Sequence, residues 1–233
     1  MKNDIDRQGF LNTSPKKYFG TITLVLLCLI LYGVERLLGW PGDPGVLLEM
    51  GARYNPEIIG GAYWRFIVPV FLHDDLTHIV MNMISLFWAG CIAESIYGHV
   101  KFLLIFFVSG LSGNIFSFAF LPEAYSVGAS TAVFGLFGAC LLLIMTYNGR
   151  LITGASRIIF YILIAINVFF VTVPERGIDT MGHVGGLIGG ILCAAIFTPH
   201  DSAVKVNAIF KAVIGLVLLL MWVYLIRKGW MIH

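Results

Sequence analysis

Apolar stretches of about 16–20 residues recur along this chain of 233 residues, at Thr21–Leu38, His78–Ile96, Phe102–Leu121, Ser130–Tyr147, Ile158–Val173, Met181–Phe197 and Ala208–Ile226. That is the length a helix needs to cross a hydrocarbon core of roughly 30 Å. Of all residues, 58% are hydrophobic and 12% charged, against roughly 25% charged in a soluble domain. A soluble protein of this length has nowhere to hide so much apolar surface. The expected fold is an all-α membrane protein, a polytopic helical bundle. Its seven spans use nearly all the residues and leave no separate soluble domain.

About twenty polar residues precede the first span and no small-residue cleavage site follows it, so that span reads as a retained anchor and not as a cleaved signal. Cys28, Cys91, Cys140 and Cys193 all fall inside spans with no CxxC pair, which reads as packing and not as disulfides or a zinc site. With the N-terminus in the cytoplasm, nine of the fifteen Lys and Arg residues, among them Lys2, Arg7, Lys16 and Lys17, lie on the cytoplasmic side. Most acidic residues, including Glu35, Asp74, Asp75 and Asp179, then lie outside. The positive-inside rule favours that orientation.

Most connections are short. The exception is the loop Gly39–Thr77, about forty residues long, where bundle connections usually take 2–8. It mixes turn signals (Pro41-Gly42-Asp43-Pro44, Asn55-Pro56, Gly60-Gly61) with Tyr63, Trp64, Phe66, Val68 and Phe71. Such a segment folds against the bundle or lies in the interface, since open backbone at membrane depth needs protein or water to cover it. The sixth span carries Gly182, Gly185, Gly186, Gly189 and Gly190, and the fourth Gly128, Gly135 and Gly138. Small residues at GxxxG spacing let backbones approach, so these two spans are expected to touch.

Polar groups inside spans are costly and each needs a reason. His78 and Asn82 in the second span, Ser130 opening the fourth and His183 opening the sixth stand out. Even-numbered spans begin on the same side, so at about 1.5 Å per residue these four sit within roughly 10 Å of one another in depth. They supply the parts of acyl transfer: a serine hydroxyl, an imidazole base to take its proton, and donors for an oxyanion at the N-terminus of the fourth span. The alternative for each residue taken alone is a hydrogen bond between helices. The chain has no HExxH signature and no pair of aspartates within spans, so the zinc and aspartyl chemistries lack their parts.

From about Gly51 to Gly190 the sequence resembles a rhomboid intramembrane protease. The resemblance rests on Gly51-Ala52, Pro56 and Tyr63-Trp64-Arg65 in the long loop, and on Phe71-Leu72-His73 followed by the HxxxN pair His78 and Asn82. Gly90, Glu94 and Gly98, the GxSx motif Gly128-Ala129-Ser130-Thr131, and His183-Val184-Gly185-Gly186 with Gly190 complete it. It implies a six-helix core at 21–199 with the outer loop 39–77, preceded by a short cytoplasmic segment 1–20. A seventh transmembrane helix and tail follow at 200–233. It implies Ser130 as nucleophile and His183 as base in a dyad without an acidic third member. His78, Asn82 and the Ser130 backbone N–H would form the oxyanion site, with Gly128, Phe134 and Gly186 in support and Phe134 packed on the His. The implied partners are transmembrane protein substrates and the lipid bilayer, with no cofactor, metal or nucleic acid. The implied place is the cell membrane, with cleavage near the outer face. Thr131 departs from the glycine usual after the nucleophile, and Ala62 from the Glu or Gln usual before Trp-Arg.

The remaining polar residues read as structural. Arg65 ties down the loop, Glu94 anchors a helix end, and His73, four residues before Thr77, supports the loop. Asp179 is expected as a solvated loop residue, the alternative being that it orients His183. Asn114 and Asn167 are expected to bond between helices. The rival functions are an inactive rhomboid-like protein that binds membrane proteins, and a small transporter. The transporter would show inverted repeats and polar groups at the midplane, and the sequence has no convincing repeat.

Overall fold

The structure, a computed structural model, describes residues 15–40, 42–147, 151–152, 154–171, 178–197, 199 and 206–232. Lys2, Arg7, Arg150, Arg176, Lys205, residues 172–173 of the fifth expected span and most of the boundary near 199–200 lie outside the described residues.

All seven apolar stretches are helices: α1 Phe19–Leu38, α4 Leu76–Tyr97, α5 His99–Phe120, α6 Ser130–Thr146, α7 Gly154–Val171, α8 Thr180–Ile196 and α9 Ala208–Met231. Two short helices, α2 Pro44–Met50 and α3 Asn55–Ile59, and the 3₁₀ turns Tyr63–Phe66 and Val68–Phe71 fold the long loop. Helix α4 starts two residues before His78 because Asp75 caps it, its carboxylate accepting the His78 N–H at 2.8 Å. By length and composition α1, α4, α5 and α9 suffice to cross a membrane. The central helices α6 and α8 are shorter, 17 residues each, and both open onto a cavity.

Glycines on two faces of α8 set the core. A Cβ on Gly186 would lie 1.9 Å from the Thr131 carbonyl oxygen, and one on Gly190 2.3 Å from that of Gly135, so this face meets α6 backbone to backbone. Gly185 and Gly189 face Phe116 and Ser112 of α5, where a Cβ would come within 2.5 and 2.2 Å. The expected contact of fourth and sixth spans is present. The contact with α5 on the adjacent face is an addition to it. Gly182 instead sits beside the carboxylate of Asp179.

At the end away from the long loop, the buried Glu94 carboxylate accepts the N–H groups of Gly20 (2.7 Å) and Thr21 (2.8 Å), the Thr21 hydroxyl (2.6 Å) and a contact from His99 Nδ1 (2.5 Å). These N–H groups belong to the first turn of α1, where no helical acceptor exists. Glu94 therefore joins α4 to the start of α1. The seventh span, α9, lies against α5: Trp222 Nε1 donates to Ser112 Oγ at 2.9 Å, Gly229 meets the Phe118 ring, and Trp230 stacks on Tyr63 of the loop. The four cysteines are free and buried, as expected of packing residues.

The long loop is tied down by two arginines. Arg65 Nη1 donates to the carbonyls of Leu48 (2.8 Å) and Ala52 (2.9 Å), with its guanidinium 4.8 Å from the Trp64 ring centre. Arg53, fully buried, donates to Ser126 Oγ, Asn55 Oδ1 and the Leu121 carbonyl, and its backbone pairs with Ser126. Its Nη2 lies 4.0 Å from Asp179.

Two sequence expectations need correction. Asp179 is not a solvated loop residue: its side chain is 12% exposed, and it caps α8 by accepting the Gly182 N–H at 2.7 Å and the Ser117 hydroxyl. Asn114 bonds the Phe66 carbonyl of the loop and not another helix, whereas Asn167 does bridge α7 to Ser85 of α4. Glu35, near the end of the first span, is buried in α1 and accepts the His73 N–H.

Gly186→Leu must push the α6 backbone aside, so the melting temperature in detergent should fall by the equivalent of about 1–3 kcal/mol or more. Asp179→Ala, which removes the cap and the carboxylate nearest Arg53, should cost about 1–2 kcal/mol by chemical denaturation. Asp179→Asn, an equally good cap, should cost less.

Candidate active site

Helix α6 begins at a turn that only glycine fits. Gly128 has φ +122°, and a Cβ there would lie 2.6 Å from His78 Nε2. Its N–H donates to the Pro69 carbonyl at 2.9 Å, holding the loop before α6 to the Val68–Phe71 turn. The next N–H, of Ala129, points at His73 Nε2 at 3.3 Å. Burial above all, and the neighbouring His78, lower the His73 pKa to about 3. His73 is therefore neutral and able to accept. It supports the turn ahead of Ser130.

Ser130 opens α6 and His183 lies in the first turn of α8, and the close packing of these helices brings Ser130 Oγ to 2.7 Å from His183 Nε2. The imidazole, 7% exposed, stacks on Phe134 with centroids 4.3 Å apart and planes 8° from parallel. Its Nδ1 has no hydrogen-bond partner among the described residues. The ring is oriented by stacking, and a hydroxyl beside a neutral imidazole can lose its proton to it.

His78 and Asn82 face the same cavity, of about 980 Å³, which Ser130, Phe134 and His183 also line. His78 Nδ1 is 2.5 Å from Asp74 Oδ1, and Asn82 Nδ2 donates to the His78 carbonyl at 3.0 Å. Of the residues singled out in the sequence, Ser130, His183, His78, Asn82, Gly128 and Phe134 thus meet in one place. Gly186 does not line the cavity; it sits beneath Thr131 and fixes how closely α6 and α8 pack. Thr131 is accommodated by Gly113 of α5, where a Cβ would come within 2.6 Å of the Thr131 Cβ. Sequence reasoning missed Gly113, the Asp74–His78 contact and the pairing of Arg53 with the segment before Ser130. An Asp four residues ahead of a His was the one available signal.

A Rhomboid domain profile matches residues 60–200. The chain is 33% identical over 201 residues to rhomboid protease GluP of Bacillus subtilis, covering 86% of this chain and 38% of that protein. It is 32% identical over 167 residues to rhomboid-like protease 3 of Toxoplasma gondii (70% and 63%). To the putative rhomboid protease YdcA of Bacillus subtilis it is 36% identical over 141 residues (60% and 69%). The chain spans less than two thirds of the length of the first two relatives. With a profile over more than half of the chain, on a bundle of apolar helices, the chain belongs to the rhomboid family and is a multi-pass integral membrane protein.

Proposed function

We propose that the chain is an intramembrane serine endopeptidase that cleaves transmembrane helices of other membrane proteins. The observation that carries this reading is the 2.7 Å contact of Ser130 Oγ with His183 Nε2 at a cavity among apolar helices. Ser130 Oγ attacks the scissile carbonyl carbon while its proton passes to His183 Nε2. The carbonyl electron pair moves onto oxygen, which the Ser130 N–H, His78 and Asn82 receive. Collapse of this intermediate breaks the C–N bond, and His183 returns the proton to the leaving amine. Water, deprotonated by His183, then releases the acyl group from Ser130. Asn82 Nδ2 gives one hydrogen to the His78 carbonyl and keeps a second to donate. No acidic residue is assigned to the His183 Nδ1 side, and Phe134 takes over the orienting task.

The membrane arrangement that goes with this reading has a cytoplasmic N-terminus and a cavity near the outer face, beside the loop 39–77. The catalytic core is the six-helix unit 21–199, and residues 200–233 add a seventh helix. The substrates are membrane proteins whose helices unwind locally at the cut.

Purified protein in liposomes with a fluorescent substrate of one transmembrane helix should cleave it. Ser130→Ala and His183→Ala should each lower kcat by at least about 10³-fold. Cleavage that survives either substitution, or a folded wild type inactive on several helices, would favour the non-cutting binder instead. A reporter fused to the N-terminus should be shielded from reagents added outside the cell; labelling from outside would reverse the topology.

A further inference from the structure

Asp74 stands in the loop immediately before α4 and outside the set of groups assigned to the chemistry. Its Oδ1 lies 2.5 Å from His78 Nδ1 and also accepts the Asp75 N–H at 2.9 Å, while its backbone carbonyl accepts Arg36 Nη2 at 3.0 Å. The Asp75 N–H holds the carboxylate, and Arg36 the backbone, with Oδ1 against one nitrogen of the ring. The other nitrogen, Nε2, points into the turn of Gly128. A methyl placed on Gly128 would lie 2.6 Å from His78 Nε2 and 3.6 Å from Ser130 Oγ. The tip of the imidazole and the serine hydroxyl thus flank the same point.

An ionised carboxylate only accepts hydrogen bonds, so Nδ1 carries a proton wherever it pairs with Asp74. In a neutral ring that leaves Nε2 bare, and a lone pair aimed at an oxyanion repels it. Nε2 can donate only if the ring holds both protons. Burial would raise the pKa of Asp74, but the hydrogen bond and charge of His78 outweigh it and hold the carboxyl below its ordinary range. His73, packed edge-on against His78 with centroids 5.2 Å apart, is neutral and adds no charge.

We propose that Asp74 is a positioning residue that keeps His78 as an imidazolium, so that the oxyanion site of this chain carries a full positive charge. The proposal rests on the reading of Ser130 as the nucleophile. It separates two tasks on one side chain: Asp74 fixes and charges the ring at Nδ1, and Nε2–H stabilises the oxygen that develops negative charge. A charged donor in a site walled by apolar helices acts more strongly than a neutral one.

The test uses the full chain in liposomes, with a fluorophosphonate that phosphonylates an activated serine and displaces fluoride, and with the single-helix substrate. Asp74→Asn keeps the shape and an acceptor for Nδ1–H but removes the charge. It should lower both the labelling rate and kcat by about tenfold to a hundredfold, below the 10²–10³ of losing a whole donor, with KM within about twofold. Asp74→Glu should recover most of the rate, and in a His78→Ala background Asp74→Asn should slow labelling no further. If Asp74→Asn melts early, Asp74→Ser supplies the neutral variant. A neutral variant that labels like wild type, or that slows the His78→Ala protein by the same factor, would overturn the proposal. Failure of the wild type to label at Ser130 is a different result; it would overturn the dyad and this proposal with it.

Discussion

The approach of α8 to α6 across Gly186 and Gly190 is the constraint on which the site depends. Side chains on a helix hold neighbouring axes about 8–10 Å apart. Here there is no side chain on that face of α8, and the Thr131 carbonyl occupies the space a Cβ would take. Only at that separation does an imidazole in the first turn of α8 reach a hydroxyl in the first turn of α6 directly. The association has no hydrophobic driving force in lipid, where tails are as apolar as Leu, so dispersion across glycine faces has to supply it. Gly113 of α5 extends the same device to Thr131, which lets this chain keep a branched residue beside Ser130 without spreading the helices.

Charges buried in this bundle are each given a structural task. Glu94 accepts the first N–H groups of α1, Asp179 those of α8, and Arg53 gathers the Leu121 carbonyl, Ser126 and Asn55. An ion out of water costs several kcal/mol unless paired and hydrogen-bonded, and charged donors and acceptors make the stronger hydrogen bonds. Arg53 spans the molecule in a particular way. It holds the segment that leads into Ser130 and lies 4.0 Å from the cap that precedes His183. Ser130 and His183 therefore share a buried anchor in the long loop, which gives that loop a structural task beyond covering the bundle.

Helix positions were legible because apolar length and the membrane solvent leave few alternatives, and the boundaries moved by a few residues, at Asp75 because a cap intervened. The meeting of Ser130, His183, His78 and Asn82 was legible from depth alone, since even-numbered spans start on one side. What the sequence hid was tertiary. Asp179 looks like a loop residue until Ser117 and Arg53 arrive from 60 or more residues away. Glu35 looks like the polar end of a span until the His73 backbone is seen to donate to it. Asn114 looks like a bond between helices because nothing in its own helix points to the Phe66 carbonyl. Local pattern locates a polar group; its partner depends on which loop folds over it.

Three helices, α4, α6 and α8, open onto the cavity with their N-termini, and each start presents N–H groups without helical acceptors and the positive end of a dipole. Two of the three are closed by an aspartate, Asp75 on α4 and Asp179 on α8. The third is not: Ala129 stands at the N-cap of α6 and offers no side-chain acceptor. A Ser, Thr, Asp or Asn cap is worth about 1 kcal/mol to a helix start, and the start that carries Ser130 has none. An aspartate there would place a negative charge where the proposed chemistry forms an oxyanion. Without a side-chain cap, no carboxylate stands at that start to compete with the negative charge that the proposed chemistry creates only while a bond is being broken. The contrast between the closed starts and the open one is the electrostatic counterpart of the Asp74–His78 pair. In both, stabilising charge is kept available at the point where the proposed chemistry generates its opposite.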